Sequence, residues 1–165
     1  MIRRIYDGVV RSLAFAAFTV MLGAALAGTV ARYLPFLPPI AWSEEVTRFA
    51  GIWAVFLVSG LAVRHGAHLG VDVLTRRFPA GVRRWDHLLV FLLMLGFCGL
   101  LLVYGFQLAA ENTEQYSPAL EWPMGWVYLC IPLGAALMIV EILTILWGLG
   151  RGRPLPAPQV EEIVE

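Results

Sequence analysis

Glu141 stands in the stretch MIVEILTILW, a single carboxylate in an otherwise apolar run. An ionisable group in such a setting either moves charge or is paired. As a proton-coupling carboxylate it would make this chain a self-sufficient exporter. A relay needs a second ionisable group at the same depth, and the run supplies none. The expected role is therefore polar packing, against Arg64, His65 or a group of a neighbouring chain. A second cluster, WSEEVTRF, holds Glu44, Glu45 and Arg48 at the head of another apolar run. His65 and His68 are three residues apart, a spacing that can present two ligands on one helix face, although a polar helix end uses the same spacing. With His87 they all fall at one end of the apolar runs, so no pair faces across to hold a haem. Cys98 and Cys130 form no CxxC motif and lie in apolar surroundings, as small buried side chains do. No catalytic residue, cofactor or metal is expected.

These groups must be carried by elements built for an apolar solvent. Hydrophobic residues make up 59% of the chain and charged ones only 15%, against about half and about a quarter in soluble domains. Uncharged stretches cover 12–31, 49–63, 88–110 and 122–140. A helix needs about 20 apolar residues to cross the hydrocarbon. None of the four shows a polar face at helical spacing, which excludes a soluble amphipathic bundle. The sequence predicts an all-α integral membrane protein with four transmembrane helices, at about 12–33, 44–65, 87–109 and 125–148, forming one domain over 1–150. A Pro-rich acidic tail over 151–165 is expected to be disordered. A formal net charge of zero gives no reason to expect a nucleic-acid partner.

Arginine sets the orientation. All twelve basic residues are Arg. They gather at the amino end, in the second connection and in the tail, whereas the third connection has Glu111, Glu114 and Glu121 and no Arg. Cytoplasmic loops carry the basic excess, so both termini and the second connection are expected inside. The amino end also has the basic start, apolar core and Ala25-Leu26-Ala27 triplet of a cleavable signal peptide. Apolar character runs on to Arg32-Tyr33, so an uncleaved first span is expected.

The connections fit this layout. Three prolines break the helix in RYLPFLPPIAW. Ser43 is expected to cap the second helix, and Glu44 and Glu45 to sit in its first turn, where exposed N–H groups favour negative charge. Arg48, four residues on, can pair with Glu44. Beyond Arg48 the apolar segment spans only about 22 Å, short of roughly 30 Å of hydrocarbon. Either Arg48 snorkels or this end faces protein. The segment from Asp72 to Phe78 reads as a short amphipathic helix on the inner surface, with Arg76 and Arg77 toward anionic headgroups. Trp85, Trp122 and Trp126 are placed as interfacial anchors.

Trp42, Glu44, Glu45, Arg48, Trp53, Arg64, His68 and Asp72 form W-x-E-E-x-x-R-x4-W-x10-R-x3-H-x3-D, and WPMGWVYLCIPLG leads into the last span. Together these resemble the small membrane subunit, DctQ-like, of tripartite ATP-independent periplasmic (TRAP) transporters, over roughly residues 10 to 150. The resemblance implies a non-catalytic scaffold in a bacterial inner membrane. Its partners would be a large TRAP membrane subunit bearing the substrate and Na⁺ sites, a periplasmic substrate-binding protein that docks transiently, and membrane lipids. The cargo would be an organic acid. It also implies that Trp42, Glu44, Glu45, Arg48 and Trp53 lie at the junction with the large subunit.

Overall fold

The computed structural model describes residues 2–34, 36, 38, 40–64 and 80–151. Five helices follow in order: α1 (Ile2–Tyr33), α2 (Trp42–Arg64), α3 (Ala80–Glu111), α4 (Met124–Tyr128) and α5 (Cys130–Gly150). Four helical segments are long and apolar enough to cross a membrane, the fourth being α4 and α5 together. The readings for His65, His68, Asp72, Arg76, Arg77 and the tail from 152 onward lie outside the described residues. Trp85 and His87 are placed by backbone alone, within α3.

The helices outrun the expected spans. α1 begins ten residues before Ser12 (12 − 2), because the turn carrying Arg3, Arg4 and Asp7 continues the helix. It stops at Tyr33, just before Leu34-Pro35, where the residue preceding a proline is pushed out of the α region. α4 and α5 are parted at Leu129. Pro132 has no N–H to offer the Tyr128 carbonyl four residues back, which breaks the ladder there. Within the helices, Thr19, Thr29, Thr47 and Ser59 donate to backbone carbonyls three or four residues earlier, at 2.7 to 2.8 Å. Hydroxyls in a lipid-facing helix have no water to turn to, and this bond satisfies them locally.

Ser43 does not cap α2. The helix starts one residue earlier, and the Ser43 hydroxyl donates 2.7 Å to the Ile40 carbonyl, which the Ser43 N–H also reaches at 3.2 Å. The serine therefore closes the turn after the proline loop instead of accepting from the helix amides.

The helices stand in a row rather than a closed bundle. α1 packs on α2, α2 on α5, and α5 on α3, with α4 tucked against α3. The central seam is set by small residues. A Cβ added at Gly60 would sit 3.0 Å from Leu137 Cβ, and one at Gly134 would sit 2.9 Å from the Phe56 carbonyl oxygen. Close approach at such positions gives the van der Waals contact that lipid cannot match. Val63, Cys98 and Ile142 form a buried cluster toward one end, flanked by Met94, Leu95 and Met138. α1 and α3, at the two edges, keep broad apolar faces open, with Phe15, Leu26, Phe97 and Tyr104 exposed.

Candidate functional site

Polar residues concentrate at the two ends of the helices. At the end where α1 begins, Arg64, the last residue of α2, reaches two other helices. Its Nε donates 2.8 Å to Glu141 Oε2 on α5, and its Nη2 donates to Glu141 Oε1. Its Nη1 donates to both oxygens of Asp7 on α1, at 2.6 and 2.8 Å. One planar guanidinium thus serves two carboxylates, a task that suits its fixed fork of donors. Arg3 Nη2 lies 4.0 Å from Glu141 Oε2 and adds a second positive charge. The Tyr6 ring stands 5.8 Å from the Arg64 guanidinium.

Glu141 is 2% exposed. It lies seventeen residues past Met124 (141 − 124), or roughly 25 Å along the fourth span. Counted from the start of that span, the depth is the far edge of a hydrocarbon layer of roughly 30 Å, not its middle. A carboxylate held through both oxygens by arginine is poorly placed to carry protons, and nothing in this geometry supports the exporter alternative. Asp7 lies before the first span that the sequence predicts, 12–33, and is not among its candidate residues. A signal for it exists in the sequence: Asp7, Ala14, Met21 and Gly28 recur at seven-residue spacing along one stripe of α1.

At the opposite end, where α2 begins, the five candidate residues part company. Glu45 turns inward and is buried. Its Oε1 accepts from the Ala119 N–H and its Oε2 from the Leu120 N–H, both at 3.0 Å. It therefore pins the connection between α3 and α4 onto α2. That connection is tightly bonded. Ser117 N–H donates to the Trp122 carbonyl at 3.0 Å, Trp122 N–H to Ser117 Oγ at 3.2 Å, and Met124 N–H to the Gln115 carbonyl at 2.7 Å. Glu121 adopts φ of 50°, a left-handed turn that a non-glycine residue holds only when its surroundings enforce it.

Glu44 does not pair with Arg48. It reaches across to Arg32 on α1, whose Nη2 lies 2.6 Å from its Oε1. The antiparallel hairpin brings the last turn of α1 beside the first turn of α2, and each charge suits its own helix end. Arg48 is exposed, lies 5.6 Å from the Phe49 ring, and has no ion pair among the described residues. Trp42 is exposed at the rim. Trp53 lines an apolar hollow of about 380 Å³ with Phe49, Leu120, Trp122 and Trp126. Among the described residues, no three His, Cys, Asp or Glu side chains gather as a metal site. Cys98 and Cys130 are both free thiols and buried.

Comparison with known proteins gives this geometry a context. The family model described as "Tripartite ATP-independent periplasmic transporters, DctQ component" matches residues 21–152. The C4-dicarboxylate TRAP transporter small permease protein DctQ of Rhodobacter capsulatus is 34% identical over 125 residues, covering 71% of this chain and 52% of that protein. Its namesake from Pseudomonas aeruginosa is 30% identical over 123 residues, covering 69% and 57%. The isethionate TRAP transporter permease protein DctMQ of Oleidesulfovibrio alaskensis is 29% identical over 109 residues, covering 65% of this chain and 17% of that protein. The chain thus spans about half the length of the first two relatives. Permease subunits of this kind are integral inner-membrane proteins, in keeping with four membrane-capable helices here. With 132 of 165 residues (152 − 21 + 1) inside the family match, the chain belongs to the DctQ family of TRAP transporter small permeases.

Proposed function

We propose that this chain is the non-catalytic membrane scaffold of a three-part importer. A large TRAP membrane subunit carries the substrate and the coupling ion, Na⁺, and a periplasmic binding protein delivers the cargo. The observation that carries this reading, beside family membership, is the open row of helices. Its flanking helices leave apolar faces that no other described residue covers, as a subunit built to pack against a larger membrane protein requires. The named relatives handle a C4-dicarboxylate and isethionate. Both are organic anions, so an organic acid is the proposed cargo class.

The large subunit seats against the face bearing Trp53, with Trp42 at its outer rim and Trp122 and Trp126 anchoring that rim at headgroup height. Glu45 contributes from behind, by holding the 117–122 turn in place for the docking protein. Arg76, Arg77 and Trp85 are proposed, on their sequence alone, to meet the inner lipid surface. Uptake into proteoliposomes should need all three proteins, and this chain alone should transport nothing. Trp53→Ala should lower co-purification of the large subunit at least tenfold while this chain still inserts. Co-purification at the wild-type level would move the interface to another face.

Both termini are proposed to be cytoplasmic, from the Arg distribution. With Cys98 and Cys130 replaced by alanine, Glu114→Cys should react with an impermeant maleimide in intact cells. Arg151→Cys should react only after permeabilisation. Labelling of both in intact cells would refute the four-span orientation.

A further inference from the structure

Two cavities lie along the α1–α2 seam, and seven-residue spacing puts them on one side of it. The outer one, about 590 Å³, is bounded by Ala25 and Arg32 of α1 and by Glu44, Thr47 and Arg48 of α2. The deeper one, about 810 Å³, is bounded by Arg11 and Phe18 of α1 and by Ala54, Val55 and Val58 of α2. Positions 11, 18, 25 and 32 form one stripe of α1, while 47 with 54 and 48 with 55 form the matching stripe of α2. Between the cavities Met21 fills the seam beside Gly51, where an added Cβ would lie 3.0 Å from its Sδ. The flexible thioether makes an apolar floor joining the two.

We propose that this groove is a binding site for one phospholipid whose headgroup carries both a phosphate and a primary ammonium. Charge complementarity selects that headgroup. Two arginines and one glutamate frame the outer cavity, and Arg48 makes no ion pair among the described residues, its charge acting at a distance on Glu45, whose two oxygens are held by backbone amides. Arg32 and Arg48 hold the phosphate oxygens through charge-assisted hydrogen bonds. The ammonium takes up Glu44, which already shares Arg32. A choline headgroup has no N–H for that carboxylate. Length agrees as well. From Arg48 to Val58 is ten residues, about 15 Å along the helix, which is one leaflet of a hydrocarbon layer of roughly 30 Å. An acyl chain starting at the arginines therefore ends in the deeper trough. The site goes beyond the scaffold role, because it needs neither the large subunit nor a particular cargo.

Native mass spectrometry of the full chain in detergent, supplied with dioleoyl phosphatidylethanolamine, reads the site directly. One lipid should stay bound per chain. Arg32→Ala and Arg48→Ala should each reduce retention at least tenfold. Val58→Trp, which fills the trough at an exposed position and leaves the arginines intact, should do the same. Leu100→Trp on the exposed face of α3 should change nothing. The choline analogue should be retained several-fold less, and millimolar inorganic phosphate should not displace the bound lipid. Wild-type retention in both the arginine and the Val58 variants overturns the site. Displacement by inorganic phosphate reduces it to a free-anion site and overturns the lipid assignment. Loss of the lipid on adding the large subunit, with crosslinks from Val58 passing to protein, gives the groove to that subunit instead.

Discussion

Arg64→Ala should destabilise the chain by about 3–5 kcal/mol, the cost of removing one partner from a buried ionic cluster. The size follows from what is left behind. Asp7 and Glu141 would face each other with no guanidinium between them, and Glu141 is 2% exposed. Helix α1 would lose its only described ion pair to α2 at that end, in a row where α1 is held from one side. Unfolding in mixed detergent micelles, followed by circular dichroism, measures the effect. Arg64→Lys should fall between wild type and alanine, because a single ammonium cannot reproduce the four hydrogen bonds now made to two carboxylates. Glu141→Gln keeps shape and hydrogen bonding, so it should cost less than the alanine change at Arg64 and leave transport by the assembled system largely intact. The informative control is Asp7→Asn with Arg64→Ala and Glu141→Gln together. Removing all three charges leaves fewer unpaired groups than removing one, so the triple variant should be more stable than Arg64→Ala alone. A loss below about 1 kcal/mol for Arg64→Ala would instead describe a solvated surface cluster.

The readable parts of this molecule and the unreadable ones divide on a physical line. Long apolar stretches announce spans because the bilayer imposes a length, and Arg asymmetry proposes a direction because insertion imposes a rule. Neither rule says which helix neighbours which. The sequence order α1, α2, α3, α5 gives no hint that α2 and α5 sit side by side at the centre of the row. Glu44 and Arg48 illustrate the same limit at short range. Four-residue spacing favours their pairing, but the pairing partner came from across the hairpin, where Arg32 offered a geometry that local spacing cannot foresee. Glu45 is a stronger case. A glutamate in the first turn of a helix reads as a dipole partner, whereas its carboxylate is spent on two amides more than seventy residues away. Glu141 could be recognised from its depth alone. Asp7 is legible only from the seven-residue stripe it shares with Ala14, Met21 and Gly28, because it lies before the uncharged stretch that starts at Ser12.

Gly134 carries the second large effect, and a substitution there separates packing from propensity. Alanine in place of glycine within a helix is intrinsically favourable by up to about 1 kcal/mol. At Gly99 a Cβ would meet nothing within 4 Å, so Gly99→Ala should be neutral or stabilising. At Gly134 the same methyl would stand 2.6 Å from Phe56 Cδ1, 2.8 Å from Phe56 Cβ and 2.9 Å from the Phe56 carbonyl oxygen. The ring can swing aside, but Cβ and the carbonyl move only with the α2 backbone. Overpacking of this kind costs about 1–3 kcal/mol, more than the propensity gain, so Gly134→Ala should destabilise and Gly134→Leu should separate α2 from α5 altogether. Separation at that seam also disturbs the Arg64 cluster, because Arg64 and Glu141 belong to the same two helices. Unfolding in mixed detergent micelles reads the alanine pair directly, with Gly134→Ala losing about 1–3 kcal/mol and Gly99→Ala losing none. Wild-type stability in Gly134→Ala would mean that the seam yields without cost, and that the close approach of α2 and α5 is not what holds the row together.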